Sequence, residues 1–231
     1  MDQQLSIPAH LGIILDGNRR WAKDHGKNSF EGHIKGYQNF KDITKSAFDL
    51  GVNYVSAYVF STENWVRTKD EVKFLMGLAY TLVAKDVDEL NQNNIKVVWL
   101  GSTKKLSQKL VKAIKSAEEK TKNNTHGTLC LCFNYGGHEE ITDAVKKIVE
   151  KKYSVEEINS KLIEKNLYSP SIPSVDLVIR TSGERRTSGF MLYRAAYAEL
   201  YFTDKFWPDF DKNDLYSAIE DYSNRNRRFG K

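Results

Sequence analysis

The stretch HLGIILDGNRRWAK, residues 10 to 23, places a five-residue apolar run directly before an aspartate, a glycine, an asparagine and two arginines. The run LGIIL has the length and aliphatic composition of a buried strand. Polar residues that end such a strand lie at the carboxyl edge of the sheet, where open parallel sheets bind their ligands. The alternative is a surface ion pair between Asp16 and Arg19 or Arg20, and the rest of the chain decides between the two interpretations.

Five further apolar runs of strand length follow, and they are rich in β-branched and aromatic residues. They are YVSAYVF (54 to 60), IKVVWL (95 to 100), TLCLCF (128 to 133), VDLVI (175 to 179) and ELYF (199 to 202). Segments with helical spacing of apolar residues separate them. This alternation predicts an α/β fold, a single domain over residues 1–231 with about six strands in a mostly parallel sheet flanked by helices.

Two segments between the strands are unusual. A predicted helix over residues 71 to 92 carries Phe74, Leu78 and Leu82 in addition to its regular apolar stripe, which is wider than packing on one sheet face requires. It is either a central core helix or the wall of an apolar cavity or of a subunit interface. The segment 151 to 174 is predicted to be an amphipathic helix with irregular flanks that connects two strands.

Length and composition narrow the class of protein. A chain of 231 residues with 40% hydrophobic content can bury one substantial core. No window resembles a signal peptide, and no apolar run approaches the roughly 18 to 20 residues that span a bilayer. We therefore expect a soluble, cytoplasmic protein. Cys130 and Cys132 are spaced as C-x-C, which suits neither a disulfide framework nor a usual zinc site, so buried reduced thiols are expected.

The formal net charge of +5 fits an anionic substrate, a nucleic acid or a negatively charged membrane surface. The basic residues are spread along the chain, and no zinc-finger, RNA-recognition or helix-turn-helix signature is present. Binding of nucleic acid is therefore the weaker alternative, and we predict no nucleic-acid partner.

Four polar clusters follow predicted strands and should meet at one rim of the sheet. They are DGNRR, STENWVR, NYGGHEE and RTSGERRTS. In the first cluster, Asp16 offers a hard oxygen ligand for Mg²⁺, Gly17 lets backbone N–H groups approach an anion, and Arg20 can bind phosphate oxygens in a planar fork. The usual glycine-rich nucleotide signatures are absent.

A second anion-binding set occurs in the last cluster, where Arg180, Arg186 and Ser188 lie within nine residues. Two such sets predict two phosphorylated ligands. A nucleophilic mechanism is poorly supported because no G-x-S-x-G elbow occurs. Polar or proton-transfer roles are open to the four residues His33, Asn64, Glu71 and His138, although a structural role is favoured for His138.

Together these motifs resemble those of the cis-prenyltransferases, the family of undecaprenyl diphosphate synthase. The matching stretches are HLGIILDGNRRWAK, GHIKG, FSTENWVRTKDEV, FNYGGHEEI, DLVIRTSGERRTSGFMLYRAAYAELYFTDKFWPDF and RRFG, in family order from residue 10 to residue 230. The aspartate-rich DDxxD pair of the all-α trans-prenyltransferases is absent.

The resemblance implies Mg²⁺-dependent condensation of an allylic diphosphate, typically farnesyl diphosphate, with isopentenyl diphosphate. The product would be a cis-polyprenyl diphosphate such as undecaprenyl diphosphate. A hydrophobic tunnel would hold the chain, and a homodimer is favoured because the terminal RFG, residues 228 to 230, resembles an element that reaches a neighbouring active site. Release of the product implies peripheral contact with the inner face of the membrane.

The resemblance also assigns roles to individual residues. Asp16 and Asn64 would be catalytic, with Asp16 on the metal and Asn64 assisting proton removal or orientation. Glu199 would contribute to the same metal site. The implied substrate-binding residues are Gly17, Asn18, Arg19, Arg20, Trp21, His33, Ser61, Glu63, Trp65, Arg67, Arg180, Arg186 and Ser188.

Several positions depart from the common family pattern, among them Tyr193 and Arg194, which replace a frequent Trp-Gln pair. Ser29 stands where an arginine is common, Arg185 where glutamine or histidine is common, and Gly189 where asparagine is frequent. Val59 is bulkier than the usual alanine, which would favour a shorter product. The open alternatives are a short-chain synthase and a non-catalytic partner subunit, which would be expected to lose the aspartate loop.

Overall fold

The computed structural model describes residues 5–225, and a six-stranded sheet forms the centre of this part of the chain. The strands are β1 (His10–Ile14), β2 (Tyr54–Ser61), β3 (Ile95–Leu100), β4 (Gly127–Tyr135), β5 (Leu177–Arg180) and β6 (Glu199–Phe202). Their order across the sheet is β3-β4-β2-β1-β5-β6, and every neighbouring pair is parallel. The predicted α/β fold with about six strands is confirmed.

Helices cover the sheet on both faces. They are α1 (Asn18–Asp24), α2 (Ser29–Asp49), α3 (Lys69–Thr81), α4 (Val87–Gln92), α5 (Gln108–Thr121), α6 (Gly137–Glu150), α7 (Ser160–Asn166) and α8 (Lys212–Ser223). A π-helical turn, Leu82–Asp86, joins α3 to α4, and 3₁₀ turns lie at Thr62–Val66, Val155–Glu157 and Trp207–Asp209.

The core has two parts because successive strand residues point to opposite faces of the sheet. Leu11 and Ile13 of β1 pack into the larger part with α2, α5 and α8, whereas Ile14 packs into the smaller part. Cys130 and Cys132 lie together in that smaller part, and both are fully buried free thiols, as predicted.

Three predicted segments differ from or lie outside the observed elements. The helix predicted over 71 to 92 is not regular, because the π-helical turn interrupts it. The connector 151 to 174 contains a 3₁₀ turn and the short helix α7 in place of one longer helix. The RFG element, residues 228 to 230, lies outside the described residues. Within residues 5–225, no helix combines the length and apolar character needed to cross a membrane.

Candidate active site

The carboxyl ends of β1 and β5 bring Asp16 and Arg180 together. Ile14 pairs with Arg180 in the sheet register, so the aspartate two residues later lies beside the end of β5. Arg180 Nη2 donates to Asp16 Oδ2 at 2.8 Å, and the arginine side chain is only 6% exposed. Its Nη1 donates to the carbonyl of Arg186 at 2.5 Å and to Ser188 Oγ at 2.8 Å. One guanidinium therefore organises both the aspartate loop and the Ser188 loop.

Gly17 makes the turn that separates Asp16 from helix α1. Its φ of 108° lies in the left-handed region that glycine adopts without strain. A Cβ at this position would lie 2.9 Å from the ring of Phe206 and 3.0 Å from Ser182 Oγ. The sequence therefore requires glycine here for both backbone geometry and space.

Glu184 connects two of the arginines that the sequence assigned to phosphate binding. Arg20 Nη1 lies 3.2 Å from Glu184 Oε1, while its Nη2 lies 3.3 Å from Asp16 Oδ1. Arg186 Nη1 donates to Glu184 Oε2 at 2.6 Å, and its side chain is 61% exposed. Arg186 therefore lies on the outer side of the loop, and it contributes its carbonyl, not its guanidinium, to Arg180.

A second charged cluster surrounds Glu71 of α3, which is 5% exposed. Arg67 Nη1 donates to Glu71 Oε1 at 2.9 Å, and Arg19 Nη1 lies 3.7 Å from Oε2. His33 Nε2 lies 3.2 Å from Oε1, so the ring carries a proton on Nε2, because a carboxylate only accepts. Burial lowers the pKa of His33 below its usual value despite the opposing bond to Glu71, which keeps the imidazole neutral at neutral pH.

The turn after β2 presents the FSTENW residues to the same region. Ser61 N–H donates to Asn64 Oδ1 at 3.0 Å, and the backbone N–H of Arg67 donates to the Asn64 carbonyl at 3.1 Å. Ser61, Glu63, Asn64 and Arg67 all line the cavity at the sheet rim. The structure thus places four of the predicted substrate-facing residues of this motif at the cavity surface.

These groups share a cavity of about 600 Å³, which we call the main pocket. Its polar side is formed by Asp16, His33, Arg67 and Arg180. Its apolar side is formed by side chains of α2, β2, α3 and the π-helical turn, namely Tyr37, Phe40, Val59, Leu75, Leu78, Ala79 and Leu82. The wide apolar stripe of α3 therefore faces a cavity. A continuous hydrophobic tunnel stays a prediction.

A second, more open cleft of about 690 Å³ adjoins the main pocket and is strongly basic. We call it the basic cleft. Arg19, Arg20, Lys23 and Lys27 line it, together with Gly17 and Ser29. Both cavities share Asp16, Asn18, His33 and Arg67. Ser29 therefore faces the region where the resemblance implied a phosphate contact.

The resemblance assigned two tryptophans to the substrate surface, but both pack inside the fold, away from the two cavities. Trp21 is 7% exposed, donates from Nε1 to Asp209 Oδ1 at 2.7 Å and stacks on His25. Trp65 Nε1 donates to Asn134 Oδ1 at 2.7 Å. Both indole N–H groups have polar partners inside the fold, so the rings pack there, and neither ring lines the main pocket or the basic cleft.

The metal pair predicted from Asp16 and Glu199 does not form within this chain. Glu199 begins β6 and pairs with Leu177, which pairs with Leu11 at the start of β1. Asp16 lies five residues beyond Leu11, or about 16 Å along the strand direction. The Glu199 carboxylate binds Arg225 at 2.9 Å instead.

Comparison with known proteins identifies the family to which this fold and site belong. The prenyltransferase family model described as undecaprenyl diphosphate synthase matches residues 14–230. This chain belongs to the cis-prenyltransferase family. The matched range begins at Ile14, the last residue of β1, and contains all the site residues described above.

Relatives of this cis-prenyltransferase differ in the products that they are named for. Isoprenyl transferase 2 of Corynebacterium glutamicum is 43% identical over 97% of this chain and 94% of its own length. Decaprenyl diphosphate synthase of Mycobacterium tuberculosis is 44% identical over 97% of this chain and 77% of its own length. The crystal structure of lavandulyl diphosphate synthase from Lavandula x intermedia in complex with dimethylallyl diphosphate superposes with a TM-score of 0.93, at 36% identity, covering 97% and 99% of the two chains.

Three further residues of this cis-prenyltransferase lie at the site although the sequence did not single them out as binding residues. His138 lines the main pocket, and its place after β4 in NYGGHEE was the available signal. Tyr58 also lines it, and its hydroxyl lies 3.3 Å from the Ser188 carbonyl. Glu184 holds Arg20 and Arg186. Nothing in the sequence indicates the contacts of Tyr58, which sits inside an apolar run.

The donor set of the cis-prenyltransferase site fits Mg²⁺ bound jointly with a diphosphate. Within residues 5–225, no group of three His, Cys, Asp or Glu side chains is arranged to hold a metal alone. Mg²⁺ commonly uses one or two carboxylates and completes its shell with substrate phosphates and water. Asp16 provides one carboxylate, 30% exposed, at the pocket mouth.

Proposed function

We propose that this cis-prenyltransferase condenses isopentenyl diphosphate with an allylic diphosphate, farnesyl diphosphate in the first instance, with Mg²⁺ bound at Asp16. The product is a cis-polyprenyl diphosphate such as undecaprenyl diphosphate. The observation that carries the proposal is the main pocket itself, in which Asp16 and Arg180 lie on one side and seven apolar or aromatic side chains on the other. Such a pocket suits a ligand with a charged head and a hydrocarbon tail.

The two loops at the mouth suggest separate positions for the two diphosphates. Arg19, Arg20 and Arg67 line the basic cleft around Asp16 and would hold the allylic diphosphate. Arg180 and Ser188 would hold isopentenyl diphosphate. Arg180 lines the main pocket with its guanidinium already fixed by Asp16 and Ser188. Arg186 would bind an anion only after its side chain leaves Glu184.

Charge stabilisation is the main chemical contribution of these residues. As the allylic C–O bond breaks, negative charge grows on the departing diphosphate, and fixed guanidinium groups stabilise it more strongly in a dry site than in water. Bound Mg²⁺ would add positive charge at the same oxygens. The isopentenyl double bond then supplies the electron pair for the new C–C bond, and loss of a proton forms the cis alkene.

Orientation and exclusion of water fall to other residues. Asn64 Oδ1 is held by Ser61 N–H, so its amide N–H groups remain to orient a diphosphate near the proton that is lost. Neutral His33 donates from Nε2 to Glu71, so its Nδ1 is left as an acceptor that adds no charge to the site. The side chains of Leu75, Leu78 and Ala79 exclude water from the allylic cation, which water would otherwise hydrolyse.

The direct test is incubation of the purified protein with farnesyl diphosphate, labelled isopentenyl diphosphate and Mg²⁺, followed by chain-length analysis of the extracted products. We expect incorporation that EDTA abolishes. Asp16→Ala should remove turnover, whereas Asp24→Ala, which alters an exposed carboxylate at the end of α1, should retain it. A ladder ending at a long chain would support the polyprenyl product, and a single short product would assign short-chain synthesis. Failure with every allylic primer would contradict the proposal.

We further propose that the active form is a homodimer that contacts the membrane peripherally when it releases product. Exposed apolar side chains support an interface, because Val145 and Val149 lie on the outer face of α6 and Val149 exposes 67% of its surface. Light scattering should give twice the mass of one chain. A monomer with full activity would contradict the homodimer.

A further inference from the structure

A buried ion pair lies beside the smaller part of the core, behind the mouth of the main pocket. Arg194 Nη1 donates to Glu140 Oε1 at 2.6 Å, and the two side chains are 4% and 1% exposed. Neither residue lines the main pocket or the basic cleft. A buried pair adds little net stability over two apolar side chains of similar size, because both charges lose their hydration. The bonds around the pair indicate a different contribution.

The Arg194 guanidinium also binds three backbone carbonyls of the connector that precedes β5. These carbonyls belong to Tyr168, Ser169 and Ile172, at distances of 2.6, 3.3 and 3.2 Å. The guanidinium is therefore held in one orientation by four acceptors. Arg194 fixes one end of the segment 188–194, and Ser188 at the pocket mouth is the other end.

Glu140 holds the start of α6 in a similar way. Its Oε2 accepts the hydroxyl of Tyr135 at 2.5 Å, and its Oε1 accepts the backbone N–H of Tyr168 at 3.1 Å. Burial and the Glu140 carboxylate raise the pKa of Tyr135, so the phenol remains the donor. Because Tyr135 ends β4, these bonds fix the first turn of α6 against the end of β4 and against the connector.

The start of α6 contacts the segment 188–194 directly. Gly137 N–H donates to the Gly189 carbonyl at 3.0 Å. A Cβ on Gly137 would lie 2.4 Å from that carbonyl oxygen, so the approach is close enough to require glycine. The next residue, His138, lines the main pocket together with Ser188 and Gly189. A displacement of α6 would therefore change the positions of His138 and Ser188 together.

The backbone of the segment 188–194 depends on such anchors. Ser188 and Met191 have φ values of 48° and 45°, in the left-handed region that residues other than glycine seldom adopt. Residues in this region persist where the surrounding structure holds them, and they are frequent at binding sites. Arg180 holds Ser188 Oγ, and Arg194 holds the far end of the segment. Two guanidinium groups thus fix a strained piece of backbone.

We propose that the Arg194–Glu140 pair positions this side of the main pocket for isopentenyl diphosphate. The pair acts through Ser188, which the proposed function assigns to that diphosphate, and the inference rests on that function. The residues bonded in this network do not line the basic cleft, which is assigned to the allylic diphosphate. Loss of the pair should therefore weaken the binding of one substrate and spare the other.

Arg194→Lys tests the bonds while it keeps a positive charge beside Glu140. Lysine lacks the planar fork and cannot bind the carboxylate and three carbonyls at once. We expect the KM for isopentenyl diphosphate to rise about tenfold, because small displacements of binding groups are costly. The KM for farnesyl diphosphate should remain near the parent value. Steady-state kinetics with each substrate varied in turn measures both, and equal changes in the two KM values would overturn the inference.

The double variant Arg194→Met with Glu140→Leu separates positioning from stability. Two apolar side chains should recover stability that the single variant loses. They supply none of the directional bonds to the connector and to Tyr135, so the KM for isopentenyl diphosphate should stay raised about tenfold. Urea unfolding follows the stability of the same proteins. A KM that returns to the parent value together with stability would overturn the inference, because the pair would then be structural only.

Leu215→Ala is the matched control for loss of stability. Leu215 is fully buried on α8 in the larger part of the core, and it lines neither the main pocket nor the basic cleft. This variant should unfold at a lower urea concentration with both KM values unchanged. A rise in the KM for isopentenyl diphosphate as large as in Arg194→Lys would show that general destabilisation, and not the pair, causes it.

Binding measurements separate this inference from the proposed function. Isothermal titration calorimetry with isopentenyl diphosphate or farnesyl diphosphate alone, each with Mg²⁺, requires no turnover. Weaker binding of isopentenyl diphosphate alone by the Arg194 variants, in a protein that shows no condensation, would support the pair and contradict the synthase activity. Turnover in the parent with unchanged affinities and KM values in every variant would contradict the pair alone. A parent that binds neither diphosphate would contradict both.

Discussion

Arg180 donates to the carboxylate of Asp16 at 2.8 Å although the two residues are 164 positions apart in the chain. Asp16 follows β1 and Arg180 ends β5, and these two strands are neighbours in the sheet. The pair therefore depends on the β1–β5 register and not on any local motif. Because Arg180 also holds Ser188, a change at this one side chain affects both loops that meet at the pocket mouth.

Arg180→Lys should lower kcat/KM for isopentenyl diphosphate by about a hundredfold. Lysine keeps the positive charge but lacks the planar fork that bonds Asp16, Ser188 and the Arg186 carbonyl at once. Steady-state kinetics at saturating primer measures the loss. Arg185→Lys, an exposed change on the same loop, is the control and should remain near the parent value. Equal rates in both variants would refute the role of Arg180.

Val59→Ala should move the product distribution toward longer chains. Val59 lines the main pocket and also a small apolar void bounded by Leu131 and Phe133, so loss of its two methyl groups enlarges the pocket in that direction. The measurement is chain-length analysis of the extracted products. Val55→Ala removes the same atoms from a fully buried position of the same strand that lines neither cavity, and it should leave product length unchanged. An identical ladder for Val59→Ala and the parent would count against the prediction.

Acid should destabilise the fold through His10, which is fully buried. Its Nδ1 lies 3.0 Å from the Pro173 carbonyl and its Nε2 lies 2.7 Å from Ser56 Oγ, so the neutral ring donates from Nδ1 and accepts at Nε2. Burial lowers the pKa of His10 from 6.5 to about 4. The unfolded chain therefore takes up a proton first as the pH falls.

The stability linked to His10 is complete above pH 6.5 and decreases as the pH falls from there to about 4. The decrease in the free energy of unfolding is on the order of 3 kcal/mol. Urea unfolding at several pH values measures it. His10→Gln should be less stable at neutral pH and should show a shallower dependence on pH, and an unchanged slope in that variant would assign the acid sensitivity to other groups.

Arg194→Met should destabilise the protein by about 3 to 5 kcal/mol, because it leaves the buried carboxylate of Glu140 without its cation. Arg194 Nη1 donates to Glu140 Oε1 at 2.6 Å, and the two side chains are 4% and 1% exposed. The double variant Arg194→Met with Glu140→Leu removes both charges and should recover part of the loss. Urea unfolding tests this, and a single variant within 1 kcal/mol of the parent would contradict the prediction.

Much of the sheet could be predicted because each strand is an apolar run of the right length between polar turns. The predicted run 128 to 133 falls short of the observed β4, which continues through Asn134 and Tyr135. A polar asparagine resembles a strand end in sequence. In the fold it is 2% exposed and bonds Trp65, Ser102 and Lys104, contacts that come from distant parts of the chain.

Site residues could be predicted from the sequence where the residue type has few possible roles at such a position. Asp16, Arg20 and Arg180 belong to that group, because a carboxylate between guanidinium groups at a sheet rim has few structural roles. Trp21 and Trp65 do not, since an indole serves equally well in a core and on a ligand surface. Glu199 is the first residue of the predicted strand ELYF, so in a parallel sheet it lies at the edge opposite the rim, and only the resemblance assigned it to the metal site.

The bonds made by Glu184 also affect how charge is distributed over the site. Within residues 5–225, the three carboxylates of Asp16, Glu71 and Glu184 are interleaved with five arginines, namely Arg19, Arg20, Arg67, Arg180 and Arg186. The arginines are held near one another without strong mutual repulsion, yet positive charge remains in excess. When a diphosphate binds, the arginines therefore exchange carboxylate partners for phosphate oxygens. The positions of the guanidinium groups are already established before it binds.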